Sequence, residues 1–302
     1  GVIDSPDIPL NVSRSFLQND QNVKKISGYI TKKVAEKLEE LFKKDREHFE
    51  KIWDDIRIFI VYGMITDQKF FERAEKFMLF KDSEDKYYTI EEYKKIIEEK
   101  QKNKDGNVIY LYATNKDEQY GNIEKAKERG YNVLMLDGML DSHFISAFEQ
   151  KFEHTSFARV DSNTIDKLIE KEEDKRESKL DDKQKEDIKK TFDEVVDSTQ
   201  YHVEFNTLGD EDAPIEIIQN EWMRRYKEMN QMGGAMWGDM PDSYTLILNT
   251  NNAAITSMAN KTEEERKEVA KQLYDLARLS RNLLKGKELS EFINRNFNNI
   301  IK

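Results

Sequence analysis

The chain has 302 residues, 36% charged and 37% hydrophobic, with 12 Gly, 4 Pro and no Cys. At roughly 100–200 residues per domain, this length predicts about two domains, each able to bury a core without disulfide or metal staples. The lack of Cys excludes a disulfide framework, thiolate metal sites, iron–sulfur clusters and a cysteine nucleophile, and a net charge of −11 argues against a duplex nucleic-acid partner.

No apolar run reaches the roughly 18 residues of a membrane span, and the start carries no basic-then-apolar signal. The expectation is a soluble, cytoplasmic protein with no membrane partner. The sequence opens at Gly1 in a Pro-containing loop, GVIDSPDIPLNVSR, without an initiator Met. Either the start was processed or the chain is a piece of something longer.

Residues 21–44 predict one amphipathic helix, because Val23, Ile26, Ile30, Val34, Leu38, Leu41 and Phe42 recur at three- and four-residue steps. A second helix is predicted from His48 to about Met64, with Phe49, Ile52, Trp53 and Ile56 facing inward. Thr89-Ile90-Glu91-Glu92 has the form of a capping box and opens a third helix toward Lys100. On this reading the first hundred residues are mostly helical.

The texture changes after Lys104-Asp105-Gly106-Asn107. NVIYLYATN (107–115) and YNVLMLDG (131–138) are β-rich and flank a helix over 121–130 that ends in glycine. A helix over about 140–152 and TSFARV (155–160) follow. This alternation predicts a small three-layer α/β unit with parallel strands over 105–168. Gly121 and Gly130 are expected at a turn and a helix cap. Units of this kind often bind ligands beyond their strand C-termini, which keeps a nucleotide- or sugar-phosphate-using enzyme as one reading. No Gly-x-Gly-x-x-Gly or Gly-x-x-x-x-Gly-Lys fingerprint supports it.

From Lys171 to Asp187 only Ser178, Leu180 and Gln184 are uncharged, so 169–186 is expected to be a solvated connector. Beyond it come a helix at about 184–197, extended segments at 201–206 and 215–219, and a strand in YTLILNT (244–250). Two helices close the chain. Thr262-Glu263-Glu264-Glu265 caps the first, whose apolar stripe is Val269, Leu273, Leu276, Leu279 and Leu283; the second carries Leu289, Phe292, Ile293, Phe297, Ile300 and Ile301. Such an αα-hairpin either caps its own domain or pairs with a second copy as a four-helix bundle. Little chain is left to cover it, which favours the dimer. No internal repeat is apparent.

Candidate chemistry is sparse. The four histidines (His48, His143, His154, His202) form no His-x-x-x-His pair, so no metal site is expected. Asp141-Ser142-His143 is better explained by a helix N-cap than by a triad, whose members converge from separate elements. The outlier is WMRRYKEMNQMGGAMWGDM (222–240), which holds five of the ten Met (Met223, Met229, Met232, Met236, Met240) and two of the three Trp (Trp222, Trp237). Its first part predicts a helix with Ile218, Trp222, Tyr226 and Met229 on one face and Arg224, Arg225, Lys227 and Glu228 elsewhere. Two readings fit: an ordinary core helix, or an adaptable binding surface whose flank is loosened by Gly233-Gly234 and Gly238.

GVIDSPDIPLNVSRSFLQ (1–18) closely resembles a signature of the ninety-kilodalton heat-shock protein family in its bacterial, HtpG-type form. IYLYATNKDE, GYNVLMLDG, the charged stretch and the closing helices follow in the family's order, and NTNNAAI (249–255) echoes its pattern more loosely. The resemblance implies an α+β, helix-rich fold. It divides into a catalytic-loop remnant (1–20), a helical segment (21–104), the small α/β unit (105–168), the connector (169–186) and a C-terminal dimerisation domain (187–302). It implies an ATP-dependent chaperone of the heat-shock response whose ATP- and Mg-binding part lies outside this stretch, so that the chain alone has no cofactor and no hydrolysis. Arg14 is then the arginine that reaches the γ-phosphate, with Gln18 and Asn11 in the same loop. Trp222, Met223, Tyr226, Met229, Met232, Met236 and Trp237 become the surface for unfolded or partly folded clients. Leu273, Leu276, Leu279, Leu283, Phe292, Ile293 and Phe297 become the homodimer interface.

Overall fold

The computed structural model describes residues 21–171, 176–232 and 242–300, without the side chains of 22, 230–232, 299 and 300. Two compact units emerge from the contacts: one takes Gly1–Lys95 and Gly138–Lys151, the other Ile96–Asp137 and Phe152–Lys302. The fold is α+β and helix-rich, as expected, with three small sheets among the described residues.

The chain begins with α1 (Gln21–Lys44) and α2 (Arg46–Thr66), separated only by Asp45. The Asp45 side chain accepts the His48 N–H and caps α2. Asp67 repeats the device, accepting from Lys69 and Phe70 to start α3 (Gln68–Ala74). A hairpin of β1 (Leu79–Lys81) and β2 (Tyr87–Thr89) then runs into α4 (Ile90–Ile97). The capping box at Thr89 is present in both directions, Thr89 N–H to Glu92 at 2.8 Å and Glu92 N–H to Thr89 at 3.2 Å. The hairpin and α3 were not expected from the sequence; α1 and α2 were. Phe49 and Trp53 of α2 are buried as predicted, while Ile52 and Ile56 are half-buried.

The chain continues through β3 (Val108–Ala113), α5 (Tyr120–Glu128), β4 (Leu134–Met135), α6 (Asp141–Lys151), β5 (Thr155–Arg159) and α7 (Ile165–Leu168). Helix α6 belongs to the first unit, where Phe144 and Phe148 join Phe71 and Phe80 in an aromatic cluster with centroids 5.7–6.4 Å apart. Aromatic contacts of this sort dominate core energetics.

In the second unit β3 lies between β4 and β5, all parallel. Every residue of β3 is buried, as expected for a central strand covered on both faces. Ile109, Leu111 and Ala113 face Ile123 and Ala126 of α5; Tyr110 and Tyr112 are the residues in between. Gly130 ends α5 at φ +74, in the left-handed region a glycine cap uses, with Tyr131 N–H returning to Ala126 at 2.9 Å. Gly121 departs from the sequence reading, because it sits inside α5 rather than at a turn.

After the charged stretch come α8 (Asp182–Val195), β6 (Tyr201–Asn206), β7 (Ile215–Ile218), α9 (Glu221–Met232), β8 (Tyr244–Asn249), α10 (Ala253–Ser257), α11 (Glu263–Ser280) and α12 (Gly286–Ile300). Strand β8 is central, parallel to β6 and antiparallel to β7. Leu246 and Leu248 of β8 meet Ile188 and Phe192 of α8 and Ala270 and Tyr274 of α11 in one core. Asn249 at the end of β8 is fully buried; it accepts the N–H groups of Leu208 and Asn251 and donates to the Gly209 carbonyl. The asparagines of NTNNAAI therefore satisfy buried backbone, which an apolar side chain of that size would leave unpaired.

Candidate functional site

Helix α9 carries the candidate surface, and its orientation is the reverse of a core helix. Trp222 is 67% and Tyr226 45% exposed. One helical turn apart, their rings stack at 5.4 Å with planes 14° from parallel. Met223 and Met229 are half-buried. Ile218, expected on the same face, lies instead in β7.

The charged face is the one that packs. Arg224 is 5% exposed, and its guanidinium donates to Glu221 at 2.8 Å, to Glu228 and to the Tyr112 hydroxyl of β3. Tyr112 in turn donates to Glu221 at 2.5 Å. Arg225 donates to Glu221 at 2.6 Å and to the Phe157 carbonyl of β5 at 2.6 Å, and the Arg159 N–H reaches Glu221 at 3.3 Å. Burial alone would raise the Glu221 carboxyl, but the adjacent Arg224 and Arg225 charges and the Tyr112 hydrogen bond outweigh it and hold it below its usual range. Burial, aided by the Glu221 charge, pushes the Tyr112 hydroxyl well above the ordinary phenol value, so it stays a donor. Sequence reasoning put Arg224 and Arg225 away from the aromatic face without saying what they meet, and it missed Tyr112 and Glu221 altogether.

A second charged cluster lies at the C-terminal end of β5. Asp161, 3% exposed, accepts from Arg159 at 2.5 Å and from Arg281, in the loop between α11 and α12, also at 2.5 Å; Arg281 reaches Asn122 at 3.3 Å. Burial would raise the Asp161 carboxyl, and the two guanidiniums reverse the direction. In a parallel sheet of order β4-β3-β5 this edge, beyond the β3 and β5 termini, is where a ligand would sit. Here Arg281 of the same chain sits against Asp161.

The closing hairpin divides its predicted residues. Leu276 (44%), Leu279 (41%), Ile293 (42%) and Phe297 (61%) are exposed, whereas Leu273 and Leu283 pack against the core and Phe292 is buried. The two helices are held by Arg295 to Asp275 at 2.7 Å and Gln272 to Asn296 at 2.8 Å. Those polar links leave an apolar strip on the outside.

Arg14, Gln18 and Asn11 lie outside the described residues, as do Met236, Trp237 and the side chain of Met232. Asp141 opens α6, and its carboxylate takes the Gly138 N–H at 2.8 Å and Arg57, a local anchoring role rather than a triad. Among the described residues no group of three or more His, Cys, Asp or Glu converges as a metal site, and no helix is long and apolar enough to cross a membrane.

The family model described as Hsp90 protein matches residues 1–302. The chain is 51% identical over 268 residues to "Chaperone protein HtpG" of Bacteroides thetaiotaomicron, covering 87% of this chain and 39% of that protein. It is 49% identical over 269 residues to the protein of the same name from Porphyromonas gingivalis, with 87% and 39% covered. Against that of Helicobacter pylori it is 30% identical over 273 residues, with 88% and 41% covered. The chain thus spans about two fifths of the length of these curated relatives. A match along its whole length places the chain in the Hsp90 protein family.

Proposed function

We propose that the chain is the distal part of an ATP-dependent chaperone, that it joins two protomers through α11 and α12, and that it offers the outer face of α9 to partly folded proteins. The observation that carries this reading is the exposed Trp222–Tyr226 stack on a helix whose charged side is committed to the sheet beneath. A large aromatic pair facing solvent, in a chain similar to proteins named as chaperones, is best explained by a partner with apolar surface of its own. In the longer protein Arg14 would neutralise charge on the transferring γ-phosphate, with Gln18 and Asn11 beside it, ATP and Mg being bound elsewhere. By this reading the chain alone hydrolyses no ATP, and it works in the cytoplasm.

The test is suppression of aggregation of a heat-unfolded protein by this chain and by a variant with Trp222, Met223 and Met229 changed to Ser. Circular dichroism and sedimentation first establish that the two match in fold and association. Suppression by the parent and not by the variant supports the reading. Equal behaviour means that α9 is not the client surface and leaves a dimerising scaffold.

A further inference from the structure

On a helical wheel at about 100° per residue, Glu221, Arg224, Arg225 and Glu228 share one arc of α9, and Trp222, Tyr226 and Met229 share another. The first arc is tied to the sheet at three separate points, the Tyr112 hydroxyl, the Phe157 carbonyl and the Arg159 N–H, and Glu228 braces Arg224 from within the helix. A helix bearing two large aromatic residues would ordinarily roll to bury them. We infer that Arg224 is a positioning residue: held in shape by Glu221 and Glu228 of its own helix, it anchors α9 to the Tyr112 hydroxyl of β3, which fixes the roll of α9 and so keeps Trp222 and Tyr226 turned outward. The use made of that outward face rests on the proposed function above; the roll itself does not.

The geometry explains why this residue is an arginine. One guanidinium serves Glu228 through one nitrogen and Tyr112 with Glu221 through the other. A lysine ammonium, a point charge on a flexible stem, lacks the planar fork that spans both sides. Rolling the helix would strand Arg224 and Glu221 away from their partners inside the fold, which opposes the apolar drive to bury the rings.

The experiment uses the whole chain labelled with 5-fluorotryptophan. The Trp222 resonance is assigned by its loss in Trp222→Phe, and its solvent isotope shift between H2O and D2O reads exposure. In Arg224→Met the shift at Trp222 should fall at least about twofold, with Trp53 unchanged, and aggregation suppression should drop with it. Arg224→Lys should give an intermediate shift. Tyr112→Phe, which removes one hydroxyl and is expected to remain folded, should move the shift in the same direction and decides the matter if Arg224→Met does not fold. A merely structural arginine would lower the melting temperature and leave the Trp222 shift at its parent value; that result overturns the inference. If the shift falls while suppression is unaffected, the roll is confirmed and the client reading of α9 fails.

Discussion

Glu92 shows how much one side chain of this acidic protein is asked to do. Its two oxygens take Arg46 at 2.6 and 2.9 Å, and one of them also accepts the Thr89 N–H. The Arg46 hydrogen bond, with the capping bond behind it, holds the carboxyl at about 2 against an ordinary 4.5. A depressed carboxyl stabilises the fold above its unfolded value and loses that contribution as pH falls through the folded one. Glu92→Gln should therefore flatten the acid limb of the stability profile between about pH 4.5 and 2 while changing little in its slope at neutral pH; urea titrations at pH 7, 4 and 3 check it. Parallel losses in parent and variant would show that the pair carries no pH dependence. The Thr89–Glu92 box was legible because its members are three residues apart. Arg46, far back in the chain, was not legible as the partner, and neither was the burial of Arg224. Nothing local announces that a charge will go inside; Tyr112 of β3, which meets Arg224, and Phe157 and Arg159 of β5, which meet Arg225 and Glu221 beside it, decide it. The wheel pattern of α9 separated the aromatic from the charged residues correctly, and only the surroundings told which side faces in.

At the scale of elements, the long helices were legible, as were the shorter α4, α5 and α6, whereas α3 and the β1–β2 hairpin were not. Helices α1, α2, α11 and α12 each repeat their apolar positions over several turns, whereas β1 and β2 have three residues apiece, too few for a period-two signal. Their turn is organised instead by Asp82, which is fully buried and accepts the N–H groups of Glu84 and Lys86 and the Tyr88 hydroxyl, while Asp85 adopts φ 62. Asp82→Ala should cost about 2 kcal/mol or more, because it strands these donors beneath the hairpin. Glu84→Ala, exposed in the same turn, should change stability by less than about 0.5 kcal/mol. Denaturant unfolding of both variants makes the comparison, and equal effects would refute the central role of Asp82. The capping box at Thr262, closed by 2.8 and 3.4 Å bonds with Glu265, was legible for the same reason as that at Thr89.

For the whole molecule, two opposing terms bear on self-association. The net charge of −11 makes like copies repel, and Leu276, Leu279, Ile293 and Phe297 give them an apolar strip to share. Burying one such side chain is worth roughly 1.5–3 kcal/mol. Changing Leu279 and Phe297 together to Ser should therefore weaken the proposed dimer by about 100-fold or more at the usual 1.4 kcal/mol per decade. Neither residue belongs to the buried core, where Tyr274 and Ala270 do the packing, so the variant should keep the parent's far-ultraviolet circular dichroism, and any fall in its unfolding temperature should depend on protein concentration, as loss of a dimer does. Salt separates an apolar interface from one built on ion pairs. Raising ionic strength shortens the Debye length to about 3 Å at 1 M and screens the repulsion between two acidic copies. An interface made by these four side chains should then tighten with salt, and an interface made by ion pairs should loosen. Sedimentation of parent and double variant at 0.05 and 0.5 M NaCl tests both statements at once. A parent that is monomeric throughout, or a double variant as dimeric as the parent, would place any association of this chain somewhere other than the outer strip of α11 and α12.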